Sequence, residues 1–123
     1  MGMKIFGIVI ICFIPAVSLA ADPWSSQDLA LEGTYIFLHI VDWGQTRDIS
    51  EHPDKYYEGI NPFLGEHPSK ERADLWFVTT TAAHVLITNY LPSKYRPYFQ
   101  GVTIGITGAA VIRNFSIGLK VNF

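Results

Sequence analysis

The fold predicted for this chain rests on residues 75–91, which read LWFVTTTAAHVLITNYL. The segment is apolar or small on every side of a helix except at His84 and Asn89, whereas a surface helix of a soluble bundle needs a charged face. Trp76 and Tyr90 stand near its two ends, as aromatic side chains do at membrane interfaces. About 17 to 20 helical residues reach across the hydrocarbon layer of a bilayer. The pattern therefore predicts a membrane-spanning helix.

Two further apolar segments flank this one. A helix is predicted from about residue 28 to residue 46, and residues 97–112 contain no Asp, Glu, Lys or Arg. The short connection at residues 92–96 predicts that the last two helices form an antiparallel hairpin. The predicted fold class is all-α, a small helical membrane bundle of three spans. Because all three segments are short or polar for a span, a soluble three-helix bundle is the alternative.

The first twenty residues have the layout of a secretory signal. Lys4 precedes an uncharged apolar stretch, and small residues at Ser18 and Ala20 suit cleavage before Ala21. Residues 1–20 are therefore predicted to be a signal peptide, and an uncleaved first span is the alternative.

The remainder, residues 21–123, is predicted to be a single helical membrane domain with a polar loop at residues 47–74. This loop and the C-terminal tail carry six Lys and Arg residues, whereas Lys94 and Arg96 are the two on the opposite side. Cytoplasmic loops of membrane proteins carry an excess of basic residues. The predicted location is therefore the cytoplasmic (inner) membrane, with a multi-pass chain and an exported N-terminus.

The overall composition excludes several classes of protein. With 49% hydrophobic and 16% charged residues, the chain is not a disordered tail. Nine Lys and Arg residues against eleven Asp and Glu residues leave no basic surplus for a phosphate backbone, so nucleic acid is not expected as a partner. A single cysteine, Cys12, supports neither an internal disulfide nor a cysteine-based metal site. No nucleophile elbow, phosphate loop, zinc-protease motif or dinucleotide fingerprint occurs, so neither an enzyme nor a cofactor is predicted.

The C-terminus has a different periodicity. Apolar residues alternate with polar or small ones from Phe115 to Phe123, and Val102, Ile104 and Ile106 alternate as well. A period of two is typical of a strand. A short C-terminal strand after the third helix is therefore allowed, and one alternative function is an outer-membrane component with a C-terminal β-hairpin ending in Phe123.

Polar residues in the predicted spans are candidates for a site. His39 and Asp42 are three residues apart and share a helix face. Ionisable groups at membrane depth are costly and commonly face a partner or a water-filled pocket. Together with His84 they give a second alternative function, a membrane metal or proton site. In the simpler interpretation the histidines are neutral, hydrogen-bonded groups between helices, so no metal ligand is assigned.

Two motifs carry a resemblance to other proteins. Residues 42–46 read DWGQT, and residues 58–65 read EGINPFLG. Over roughly residues 35–90 the chain resembles small uncharacterised bacterial or phage multi-pass membrane proteins, which have Asp-x-x-x-Thr at one helix end and Glu-x-Asn-Pro before the next helix. Here Glu58 stands one residue farther from Asn61 than in that pattern. The resemblance implies helices, a membrane and no assigned activity.

The same motifs predict a polar clasp between two helices. Asn61 is expected to cap a helix that begins at the following proline, and Glu58 is expected to accept a hydrogen bond from Thr46 or Gln45. With Asp42, these residues form the candidate polar contact between helices.

The predicted function is that of a non-enzymatic small integral membrane protein with an accessory or assembly role through helix–helix contacts. Gly101, Gly105 and Ala109 recur every four residues, and such a ridge of small residues lets two helices approach closely. The predicted partners are the lipid bilayer and a homo- or hetero-oligomer formed through these helices.

Overall fold

Three α-helices make up the described part of the protein. The computed structural model describes residues 22–59 and 61–123, so the predicted signal peptide lies outside the described residues. Helix α1 spans Ser26–Glu51, α2 spans Lys70–Tyr90, and α3 spans Arg96–Ser116 directly after a single 3₁₀ turn at Ser93–Tyr95. These residues contain no strand. The all-α prediction is therefore confirmed, with three helices.

The helix ends follow from local sequence. Ser25 caps α1 in a capping box, in which its side chain accepts from the N–H of Asp28 while the Asp28 carboxylate accepts from the N–H of Ser25. Ser69 caps α2 by accepting from a backbone N–H of the first turn. Helix α3 has Pro97 in its first turn, where the missing N–H costs nothing. The connection between α1 and α2 is therefore residues 52–69, shorter than the predicted loop at residues 47–74.

The three helices are packed unequally. Helix α1 packs along both α2 and α3, whereas α2 and α3 contact each other much less. Because α2 and α3 are separated over part of their length, α1 forms the floor of a cleft between them.

Polar side chains occupy most of the space between the helices. The buried apolar cluster consists of Trp43, Leu64 and Phe77. Arg96 is fully buried, whereas Ile112 on the outer face of α3 is 72% exposed. The fully buried side chains also include several amides and hydroxyls: Gln45, Gln100, Asn89, Thr46 and Thr88. Burying such groups is tolerated only when they are hydrogen-bonded.

The predicted membrane spans are wrong. None of the helices in residues 22–59 and 61–123 combines the length and hydropathy needed to cross a bilayer. The predicted spans were intervals without charged residues, but freedom from charge is not the same as high hydropathy. In α2 the interval contains four threonines, His84 and Asn89, and several of these polar side chains are buried inside the bundle. Multi-pass insertion, the inner-membrane location and the charge-based orientation are therefore not supported.

The predicted C-terminal strand and hairpin are also wrong for the described chain. Val102, Ile104 and Ile106 all lie within α3, and residues 117–123 form a tail without strand structure. This tail packs on α1: the N–H of Asn122 donates to the Gly44 carbonyl at 3.1 Å. Of the alternating apolar residues only Leu119 is buried, whereas Phe115, Ile117, Val121 and Phe123 are about half exposed, so the alternation does not mark a buried face.

Candidate functional site

A cavity of about 470 Å³ lies between the N-terminal half of α2 and the C-terminal half of α3. Helix α1 and the 52–69 loop complete its walls. Its polar and charged lining residues are Asp42, Thr46, Glu58, Asn61, Arg113 and Asn114, and its apolar ones are Leu64, Trp76, Phe77, Ile106, Ala109 and Ala110. Four of the seven polar residues singled out from the sequence thus line one cavity.

Asp42 is held at the cavity wall by amide side chains. The Nδ2 of Asn114 donates to Oδ1 of Asp42 at 3.2 Å and to Oε1 of Gln45 at 3.0 Å. Gln45 in turn donates through Nε2 to the Val111 carbonyl at 3.2 Å, which ties it to α3. Asp42 therefore has a fixed orientation relative to both α1 and α3.

The environment of Asp42 disfavours its charged form. Burial and, to a smaller extent, the negative charge of Glu58 raise the pKa of Asp42 to about 7, against an ordinary value of 3.8, and the hydrogen bond from Asn114 opposes this rise. Near neutral pH the carboxyl group is therefore part protonated and part ionised, and a nearby positive charge would favour ionisation.

The predicted clasp has different hydrogen bonds from those expected. The Thr46 hydroxyl donates to the carbonyl of Asp42 at 2.9 Å, within its own helix. Asn61 does not cap a helix; its side chain accepts from the N–H of Phe63 at 3.0 Å in a turn, well before α2 begins. Glu58 receives a long hydrogen bond of 3.4 Å from the N–H of Asn61. Thr46, Glu58 and Asn61 do line the same cavity, but they do not form the hydrogen bonds that the sequence predicted.

Backbone contacts hold the loop against the cavity. The N–H of Glu58 donates to the Glu66 carbonyl at 2.7 Å, and the N–H of Gly65 donates to the Asn61 carbonyl at 3.2 Å. Gly65 has a φ of +74°, a conformation that glycine adopts without strain. The Leu64 side chain is buried in the apolar cluster by this turn.

The two candidate histidines lie in a separate polar layer. His84 has Nδ1 at 2.7 Å from a Glu32 carboxylate oxygen and Nε2 at 2.7 Å from the Thr103 hydroxyl. His39 hydrogen-bonds through Nε2 to Thr80 at 2.8 Å. The Tyr35 ring stacks on both imidazoles, with centroid distances of 3.5 Å to His84 and 5.0 Å to His39.

This layer does not form the proposed metal site. Burial, with a smaller contribution from the charge of His84, lowers the pKa of His39 to about 4, so the imidazole is neutral. The carboxylate that His84 contacts is Glu32, and Asp42 lies in the cavity wall instead. No cluster of three or more His, Cys, Asp or Glu residues in the described part of the chain is arranged to hold a metal ion.

A buried ion pair near the start of α1 was missed at the sequence level. Arg96 donates to Asp28 at 3.1 Å and to the carbonyls of Thr88 and Asn89 at the end of α2. It also donates to the carbonyls of residues 22 and 23, so the guanidinium makes five hydrogen bonds. The available signal was a basic residue between Pro92 and Pro97, at the boundary of two helices, which predicts only a loop charge.

Further polar side chains lie beside the ion pair and hydrogen-bond to its neighbours. Gln100 donates to the Asp28 carbonyl and to Glu32, both at 3.0 Å, and the Thr88 hydroxyl lies 3.3 Å from Glu32. We refer to the side chains of Asp28, Glu32, His84, Arg96 and Gln100 as the closed network.

The predicted helix-packing residues lie on the outside of the bundle. Gly101, Gly105 and Ala109 are exposed on α3. A methyl group added at Gly101 or at Gly105 would meet no atom within 4 Å. They therefore do not mediate packing within this chain.

Comparison of the chain with family models, with curated proteins and with solved structures finds no match. The resemblance noted from the two motifs stays a prediction.

Proposed function

We propose that the protein is a non-enzymatic accessory or assembly protein that acts through helix–helix contacts made by the outer face of α3. The observation that supports this proposal is that four large apolar side chains of α3 are exposed: Tyr98, Val102, Ile106 and Ile112. Tyr98 is 74% exposed and Ile106 is 67% exposed. Exposed apolar side chains grouped on one element are common at interaction surfaces.

The face combines large and small residues at helical spacing. Gly101, Gly105 and Ala109 are small exposed residues between the larger side chains, and a methyl group added at Gly101 or Gly105 would meet no atom within 4 Å. A second helix can approach such small residues closely, and burial of the surrounding apolar side chains contributes about 25 cal/mol per Å² removed from water. A second copy of α3 offers the same large and small residues, so a symmetric dimer is the simplest assembly.

The substitution Gly105→Leu tests this proposal. A leucine side chain would hold the two helices apart. We therefore expect the dissociation constant of the dimer to rise at least about tenfold, equivalent to about 1.4 kcal/mol. Analytical ultracentrifugation of the purified chain, with chemical cross-linking at the same concentrations, measures this change.

Gly33→Leu is the matched control, because Gly33 is also an exposed helical glycine with no atom within 4 Å of an added methyl group. It lies on α1 and should leave association unchanged. Equal association of the original chain and both variants, or a monomeric original chain, would exclude α3 as the assembly face.

A second candidate partner is a lipid surface. The observation that favours it is that large apolar side chains are exposed on all three helices, including Phe37 on α1 and Leu75 and Ile87 on α2, while polar groups fill the interior. Flotation with phosphatidylcholine vesicles tests this candidate. Binding to vesicles that is equal for the original chain and for Gly105→Leu would favour lipid contact over helix pairing.

A further inference from the structure

The cavity beside Asp42 has the size and lining of a ligand site. Its volume of about 470 Å³ falls within the range of about 300 to 1,000 Å³ that is usual for small-molecule pockets. Two of the α3 residues that line this space, Ala109 and Ala110, have small side chains, whereas α2 contributes Trp76 and Phe77. The closed network does not use this volume, whereas Ile106 and Ala109 belong both to its lining and to the outer face of α3.

The polar residues of the cavity carry an excess of negative charge. Among its described lining residues the charged ones are Asp42, Glu58 and Arg113, which gives two carboxylates against one guanidinium. The Arg113 guanidinium lies over the loop, with one nitrogen 3.5 Å from the position of a methyl group added at Gly59. A ligand with a single positive charge would therefore balance the charge of the cavity.

Asp42 is the group best placed to receive that charge. Its carboxylate is fixed by the Asn114 amide, and Asn114 is fixed in turn by Gln45, so the acceptor is preorganised. Burial has raised the pKa of Asp42 to about 7, because the ionised form is poorly compensated. An ammonium group at hydrogen-bond distance supplies this compensation and makes a charge-assisted hydrogen bond.

The other half of the cavity is apolar. Phe77 and Leu64 are buried in its wall, and Trp76 is held by stacking on Phe63 with ring centroids 5.3 Å apart. Aromatic rings attract both apolar groups and cations placed over their faces. The lining therefore suits a molecule that is charged at one end and apolar at the other.

We infer that the cavity binds a small primary amine with an apolar body, whose ammonium group pairs with Asp42 and whose body lies against Trp76 and Phe77. This site shares Ile106 and Ala109 with the face of α3 proposed for assembly, but Asp42, the group that receives the ammonium, lies on α1.

Calorimetric titration of the full chain with two probes of the same shape tests the inference. 2-Phenylethylamine carries the charge, and 2-phenylethanol is its neutral counterpart. We expect the amine to bind at least about tenfold more tightly at pH 8, and the difference to shrink at pH 5.5, where Asp42 is protonated. Equal binding of the two probes at pH 8, or no binding of either, would overturn the inference.

Two substitutions test the Asp42 carboxylate and the cavity volume separately. Asp42→Asn keeps the shape and should remove the preference for the amine, whereas Asp54→Asn, at an exposed loop position, should leave it unchanged. Ala110→Leu keeps the carboxylate but fills the cavity, and should weaken binding of both probes. If both Asp42→Asn and Ala110→Leu bind the amine as the original chain does, the amine binds elsewhere and the inference is wrong.

Discussion

The closed network and the cavity are built from similar residues but differ in what surrounds their carboxylates. At the closed network, Asp28 faces the Arg96 guanidinium, and Arg96 is fully buried. At the cavity, Asp42 faces the Asn114 amide and the like charge of Glu58. Buried carboxylates are tolerated in the first region because a cation compensates them, and in the second because the carboxyl group can hold a proton.

The two regions also differ in how much space their side chains leave between the helices. Gln100 and Arg96 are long side chains that fill the space between α1, α2 and α3 at the closed network, whereas Ala109 and Ala110 leave the space open two turns farther along α3. The comparison teaches that a tightly filled polar network with a paired carboxylate has a structural role, while a carboxylate at a cavity wall is available to a ligand.

Breaking the closed network should have the largest effect on stability. Arg96→Leu removes five hydrogen bonds and leaves the buried Asp28 without its cation, so we expect a loss of about 3 to 5 kcal/mol in the free energy of unfolding. Urea denaturation followed by circular dichroism measures it. Lys94→Leu, two residues earlier at an exposed position, is the control and should change stability by less than about 0.5 kcal/mol. Similar values for the two variants would show that the network does not support the fold.

Acidification should act in opposite directions on His39, which lies beside the closed network, and on Asp42 in the cavity wall. The pKa of His39 is lowered from 6.5 to about 4, so between these pH values the unfolded chain binds a proton that the folded chain does not, and stability falls as pH falls. The pKa of Asp42 is raised from 3.8 to about 7, so over nearly the same range the folded chain holds the proton, and stability rises as pH falls. In the unsubstituted protein these two contributions oppose each other.

Single variants should separate the two contributions. His39 faces His84 across the Tyr35 ring, and Asp42 faces Glu58 and Asn114, so each group can be removed without touching the other. Relative to the unsubstituted chain, Asp42→Asn should lose stability more steeply from pH 6.5 to pH 4, and His39→Gln should lose it less steeply. Each slope changes by at most about 1.4 kcal/mol per pH unit, measured by urea denaturation at several pH values. Parallel curves for all three proteins would contradict both assignments.

The contact of the tail with α1 gives a smaller expected effect. A methyl group at Gly44 would lie 2.5 Å from a Val121 side-chain carbon and 3.3 Å from the backbone nitrogen of Asn122, so Gly44→Ala must displace the tail. Gly33→Ala meets nothing and should stabilise α1 by about 1 kcal/mol through helix propensity. We expect Gly44→Ala to be less stable than Gly33→Ala by about 1 to 3 kcal/mol in thermal or urea denaturation. Equal stabilities would mean that the tail does not pack there.

The smallest expected effect is at the C-terminal residue. Phe123 lies edge-on to the Trp43 ring at 5.4 Å and under the Arg47 guanidinium at 5.8 Å, but it is more than half exposed. Phe123→Ala should therefore cost about 0.5 to 1.5 kcal/mol and change the fluorescence of the buried Trp43. Phe115→Ala, at a similarly exposed position, is the comparison and should leave that fluorescence unchanged. A fluorescence change of the same size in both variants would argue against the ring contact.

The number and order of helices were predictable from local sequence. Apolar intervals separated by proline turns predicted three helices, because proline and the residue before it interrupt a helix wherever they fall. Their length was not predictable in the same way, since Ser25 and Ser69 start helices that run through charged turns. The membrane prediction failed for a different reason: the intervals lack charge but contain uncharged polar residues, such as His84 and Asn89 in α2, that are buried within the bundle.

The candidate site was predictable only in part. The motif residues Asp42, Thr46, Glu58 and Asn61 do line one cavity, because the end of α1 and the loop after it are close in sequence. Arg113 and Asn114 lie about 70 residues farther along, and a single sequence contains nothing that assigns a distant helix face to this pocket. The same limit applies to Glu32 and His84, whose contact depends on how α1 and α2 are rotated against each other.

The shared role of Asp28 has a consequence for how the chain folds. Its carboxylate accepts from the Ser25 N–H at the start of α1 and also from Arg96 at the start of α3, 68 residues away. Arg96 in turn binds the last carbonyls of α2, so three helix ends are joined at one point. This junction can form only after a long chain segment has closed, so its contacts are gained together once all three helix ends have met.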